Sequence, residues 1–84
     1  MMRPRIAKGR LNRSLSDAFS EVVKEVREQK KLSRNALARK AGLHQTYIGL
    51  LERGERSPNL DTAKAIAAAL DVPLATLVAR AEKR

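Results

Sequence analysis

With 84 residues there is room for one small domain and not for a second, and at that size folding buries only about 60 to 65% of the surface that the unfolded chain exposes. Zero cysteines exclude disulfides, thiolate catalysis and Cys-based metal sites, a single histidine removes most imidazole alternatives, and no metal or other cofactor is expected. A net charge of +9, from 18 Lys and Arg against 9 Asp and Glu, favours a polyanionic partner.

The hydrophobic content is 43%, with one Phe, one Tyr and no Trp, so the core must be built from Leu, Val, Ile and Ala, and a helical frame is expected. The longest unbroken apolar run, Ala65 to Leu70, is far short of a membrane span and of a signal-peptide core. A cytoplasmic protein without a membrane partner is expected. The positive charge falls in two blocks. Residues 1–13 carry Arg3, Arg5, Lys8, Arg10 and Arg13 with no acid, and residues 31–56 carry Lys31, Arg34, Arg39, Lys40, Arg53 and Arg56 against Glu52 and Glu55.

Residues 1–13 lack apolar periodicity and read as a flexible basic arm, either following the minor groove of a nucleic acid or simply solvated. The folded domain is expected over 14–84. Leu15, Phe19, Val22, Val23 and Val26 recur at helical spacing, which predicts a first helix over about 16–30 with Ser16 as N-cap and Asp17 in its first turn. Ser33 is placed to cap a short helix, Arg34 to Ala41, with Leu37, Ala38 and Ala41 inward, and Gly42 follows as a left-handed stop. A third helix runs from about Gln45 to Arg53, with Ile48 and Leu51 inward and His44 at its N-cap, as a cap or a phosphate neighbour. Gly54 and Ser57-Pro58 close it. Asn59 caps a fourth helix, Leu60 to Leu70, whose expected buried stripe is Leu60, Ala63, Ile66, Ala67 and Leu70. Pro73 opens a fifth, with Leu74, Leu77, Val78 and Ala81 on its apolar face.

Two short helices joined by a tight glycine turn over about 33–53, with small Ala38 and Ala41 at the crossing, have the geometry of a helix-turn-helix. Its second helix, about 13 Å long, fits a major groove about 12 Å wide. At this point the chain resembles the Cro and phage-repressor (XRE-type) helix-turn-helix regulators over about residues 16–80. The residues that carry the resemblance are Leu32-Ser33, Leu37-Ala38, Ala41-Gly42-Leu43, Ile48, Leu51-Glu52-Arg53-Gly54, Pro58 and Leu70-Asp71-Val72-Pro73-Leu74. Thr46-Tyr47-Ile48 followed by Glu52-Arg53-Gly54 is also similar to the small controller proteins of restriction-modification systems.

The resemblance implies an all-α, five-helix, lambda-repressor-like fold and a role for individual residues. Gln45, Thr46, Tyr47 and Leu50 fall at base-contacting positions, Tyr47 with the alternative of packing beside the second helix. Ser33, Arg34, Arg53, Arg56 and Asn59 fall where phosphates are gripped, and Arg27 and Glu52 pair structurally. Gln45 suits an adenine edge, whereas Leu50 offers only apolar contact and Gly49 offers no side chain. The apolar face of the fifth helix has two readings, internal packing or a homodimer contact through Leu74, Leu77 and Val78, of which the second is preferred. The implied function is a sequence-specific, double-stranded DNA-binding transcriptional regulator acting as a homodimer on a palindromic operator, with half-sites about 10 base pairs apart. The alternative, motivated by exposed Leu50 and the thin polar set on the third helix, is an antitoxin-like module that holds a partner protein, a toxin or another, as well as DNA. An enzyme is not expected, since there is no thiol and no glycine-rich phosphate loop.

Overall fold

The computed structural model describes residues 14–84, so the arm expected over 1–13 lies outside the described residues. These residues form five helices and no strand: α1 (Leu15–Gln29), α2 (Arg34–Ala41), α3 (Gln45–Glu52), α4 (Leu60–Leu70) and α5 (Leu74–Glu82). α2 packs against α3 and α4, while α5 lies along α1. The last turn of α5 is tied to α1 by Arg84, which pairs with Glu21 at 3.3 Å and also with Glu25, and by Arg80 at 3.7 Å from Glu25.

Side-chain caps start four of the helices. Ser14 Oγ accepts from the Asp17 N–H at 3.0 Å, Ser33 Oγ from Ala36, His44 Nδ1 from Thr46, and Asn59 Oδ1 from Thr62. The first of these corrects the expected N-cap, Ser16. From Ser14 the cap oxygen reaches the N–H three residues on, so the helix begins two residues earlier and Leu15 falls in its exposed first turn.

Four helices also end alike. The chain turns left-handed at Lys31, Gly42, Gly54 and Asp71, and the next N–H reaches back five residues, as in Leu32 to the Arg27 carbonyl at 3.0 Å and Leu43 to the Ala38 carbonyl at 2.8 Å. Glycine is the ordinary occupant of such a position, but Lys31, at φ 59°, carries a Cβ there. Left-handed backbone costs about 1 to 2 kcal/mol for such a residue, and glycine gives back about 0.4 to 1 kcal/mol through the unfolded chain. Lys31→Gly is therefore expected to raise stability by up to about 1 kcal/mol, read as a higher denaturant midpoint. A lower midpoint would mean that the lysine side chain contributes more than its backbone strain costs.

The core is aliphatic apart from Phe19. Val22, Val23 and Val26 of α1 meet Leu37 and Ala38 of α2, Ile48 and Leu51 of α3, Ile66, Ala67 and Leu70 of α4, and Leu77 and Ala81 of α5. Two expectations are corrected here. Leu60, expected in the buried stripe of α4, is 79% exposed. It is the first residue of α4, and a helical Cβ leans toward the N-terminus, so its side chain projects past the end of the helix rather than down onto the core. Leu77, expected at a dimer contact, is 0% exposed and belongs to the core of the single chain.

Candidate nucleic-acid interface

The turn between α2 and α3 is made by Gly42, at φ 74°, and α3 then opens on His44, whose ring is a cap, with Nδ1 accepting from Thr46 at 3.1 Å. Because Ile48 and Leu51 are pinned in the core, the opposite flank of this eight-residue helix faces outward. Gln45 and Thr46 lie there, both exposed, and Leu50 is half-buried. Tyr47 is half-buried against the core, with the Arg56 guanidinium 6.0 Å from its ring centroid. The phenol thus has one face packed on the core and a cationic neighbour.

At the edge of this flank sits a three-residue charge cluster. Glu52, whose side chain is 1% exposed, accepts from Arg27 Nε at 2.7 Å, from Arg27 Nη2 at 3.2 Å and from Arg34 Nε at 2.9 Å. Arg27 Nη1 also donates to the Leu32 carbonyl at 2.7 Å, which fixes α1 to the start of the α1–α2 turn. Burial alone would push the Glu52 carboxyl up, but the hydrogen bonds from Arg27 and Arg34 and their positive charge outweigh it, so Glu52 is held below the usual carboxylate range. Glu52 thus takes two guanidiniums, and Arg27 also has the exposed Glu28 carboxylate at 3.8 Å, so the cation left turned outward is Arg34. Its side chain is 48% exposed, at the N-terminus of α2. No local sequence pattern marks its bond to Glu52. The signal was available only through the crossing of α2 with the end of α3, since 18 residues separate the pair.

The remaining cations and caps are divided. Arg56 is exposed beside Tyr47. Ser33 and Asn59, expected at phosphates, spend their oxygens on the caps of α2 and α4, and each retains a hydrogen to donate outward. Arg53, placed with the phosphate-gripping loop by the sequence, lies back along α3. Its Nε donates to Glu55 at 3.2 Å, and Nη1 would be 3.3 Å from a Cβ on Gly49.

A separate apolar groove of about 130 Å³ opens between α1, α4 and α5, lined by Leu15, Phe19, Leu60, Ala63, Leu74 and Val78 among others. Leu74 and Val78 of the expected dimer set are half-buried in its wall, where Leu77 is replaced by Leu15 and Leu60. No single helix among the described residues is long and apolar enough to cross a membrane.

Comparison with known proteins accords with this geometry. The helix-turn-helix family matches residues 23–77, from the middle of α1 into α5. The chain belongs to that family. It is similar to the control protein C.SmaI of Serratia marcescens, 38% identical over 66 residues that span 79% of each chain. The restriction-modification controller C.AhdI of Aeromonas hydrophila superposes at a TM-score of 0.70 with 36% identity, over 73% of this chain and 92% of that one. A tyrosine-to-phenylalanine variant of the controller C.Esp1396I, solved on its highest-affinity operator site, superposes at 0.77 with 28% identity, over 82% and 91%.

Proposed function

We propose that this helix-turn-helix protein is a sequence-specific, double-stranded DNA-binding transcriptional regulator that acts as a homodimer on a palindromic operator. One observation carries the reading. The outer flank of α3, with Gln45 and Thr46 exposed, has two exposed cations close to it: Arg34, bonded to Glu52 at the end of α3, and Arg56, beside Tyr47. A helix of that length fits the major groove, and exposed cations beside it are suited to the sugar-phosphate ribbons that flank that groove. Gln45, Thr46, Tyr47 and Leu50 face the bases, while Ser33, Arg34, Arg56 and Asn59 face phosphates. The C.Esp1396I variant bound to its operator site supports operator DNA as the ligand of this chain. Action on genomic duplex places the protein in the cytoplasm. Leu50, expected to be exposed, is half-buried and Gly49 is covered, which weakens one ground of the antitoxin-like alternative and leaves the other, the thin polar set on α3.

The twofold contact follows from the groove between α1, α4 and α5. Leu60 and Leu15 stand at its lip and Leu74 and Val78 form its wall, so one patch carries both a protruding side chain and a cavity to receive it. That is what an isologous interface needs. Two recognition helices related by such an axis read half-sites about 34 Å, or about 10 base pairs, apart.

The salt dependence of binding tests the assignment. Each phosphate neutralised contributes about −0.9 to the slope of log affinity against log salt. Arg34→Ala is expected to reduce that slope by about one without changing sequence preference. Gln45→Ala is expected to flatten preference at one base pair by about 1 to 3 kcal/mol with the slope kept. If both variants match the parent protein on DNA, α3 and its border are not the binding surface.

A further inference from the structure

Arg53 has a second place available besides a phosphate. Thr46, Gly49, Leu50 and Arg53 are spaced three and four apart and share the flank of α3 opposite the buried Ile48 and Leu51. Side chains on a helix lean toward its N-terminus, and that of Arg53 does so, bringing Nη1 to 3.3 Å from where a Cβ on Gly49 would stand. Gly49 is buried although it has no side chain. At 54% exposure the Arg53 guanidinium is open to a ligand, and its Nε edge is already held by Glu55 at 3.2 Å. Among the described residues the two terminal nitrogens keep their donors for a ligand, with Nη1 lying over Gly49 in the middle of the reading flank. The base edge that matches two parallel donors in the major groove is guanine, with O6 and N7 both acceptors.

We propose that Arg53 is a specificity-determining residue that reads a guanine directly, and that the missing side chain at Gly49 is what admits it. This inference rests on the DNA-binding reading above. Gly49 lies about 6 Å along α3 from Gln45, so the guanine falls about two base pairs from the pair that Gln45 reads.

The test is selection of bound duplexes from a random library, at one fixed salt concentration, with the parent protein, Arg53→Lys and Arg53→Ala. Lysine keeps the charge but not the fork, so it separates base reading from phosphate gripping. The parent protein is expected to enrich one guanine per half-site, and both variants to lose that preference by about 10- to 100-fold with the other positions kept. Gly49→Leu, which fills the space, is expected to lose it too. If Arg53→Lys retains the parent motif at every position while Arg53→Ala weakens all sequences evenly, Arg53 grips a phosphate and the inference is overturned. If Gly49→Leu keeps the guanine, the gap is not the route. A parent protein that enriches no sequence overturns the DNA-binding reading as well, so the two failures are distinguishable.

Discussion

Glu52→Ala is expected to lose about 3 to 5 kcal/mol of folding stability, a large share of the roughly 5 to 15 kcal/mol that holds a small domain together. The size of the effect comes from what the substitution leaves behind. Arg27 has a side chain only 10% exposed, and with Glu52 gone its buried guanidinium keeps the Leu32 carbonyl and a long contact to Glu28 at 3.8 Å. An unpaired buried charge costs far more than the net contribution of the pair it came from. Arg34→Ala, which removes the exposed partner and keeps the Arg27–Glu52 bonds, is expected to cost under about 1 kcal/mol. Chemical denaturation of the two variants side by side checks the contrast. The pH dependence has a definite sign. The carboxyl of Glu52 is lowered in the folded chain, the Arg27 and Arg34 hydrogen bonds overcoming desolvation, so its contribution is fully present above the unfolded value of about 4.3 and is lost as pH falls through the folded value. Acid should therefore narrow the gap in stability between the parent protein and Glu52→Gln.

Leu60→Glu is expected to abolish the dimer and to lower operator affinity by about 100- to 10,000-fold, while the separated chain keeps its fold and loses only the stabilisation that subunit association adds. The three parts have one cause. A side chain 79% exposed contributes little to the fold, so its loss leaves the core intact. In a twofold dimer it is buried twice, in the apolar groove beside Leu74 and Val78, and each burial of a leucine is worth about 1.5 to 3 kcal/mol. A carboxylate in that place must be desolvated without a partner. Once the subunits part, the second half-site no longer benefits from the high effective concentration that linkage supplies, and that accounts for the loss on DNA. Sedimentation of the variant and titration of a two-half-site duplex would measure both effects. A Leu60→Glu protein that remains dimeric would move the twofold contact to another face.

The parts of the fold that were legible in the sequence are those governed by local chemistry. Ser33, Asn59 and Gly42 announce their helix ends through hydrogen bonds and backbone angles within three to five residues, and α2 and α4 begin and end where expected. Ser14 and Ser16 are both good caps, and only the packing of α1 decides between them. Lys31 and Asp71 turn left-handed without glycine, which no composition signal marks; the helix ends demand that conformation and the residue present adopts it. Leu60 and Leu77 exchange roles for a similar reason. Periodicity assigns both to an apolar face, but a side chain at the first position of a helix has no turn beneath it, whereas Leu77 in the middle of α5 lies directly over the core. In the candidate site, the Arg27–Glu52 bonds had been inferred from the family resemblance, while Arg34 joining them and Arg53 folding over Gly49 depend on long side chains meeting across a helix crossing or along a helix flank.

The central claim is that the outward flank of α3, from Gln45 to Leu50, is the surface that meets duplex DNA. Backbone amide shifts of the intact protein, followed as a selected duplex is titrated in, test it most directly. The account predicts the largest shifts at Gln45, Thr46 and Tyr47, with Ser33, Arg34 and Arg56 next, and small ones along the groove of Leu15, Leu74 and Val78. Shifts concentrated on that groove, with α3 unmoved, would contradict it.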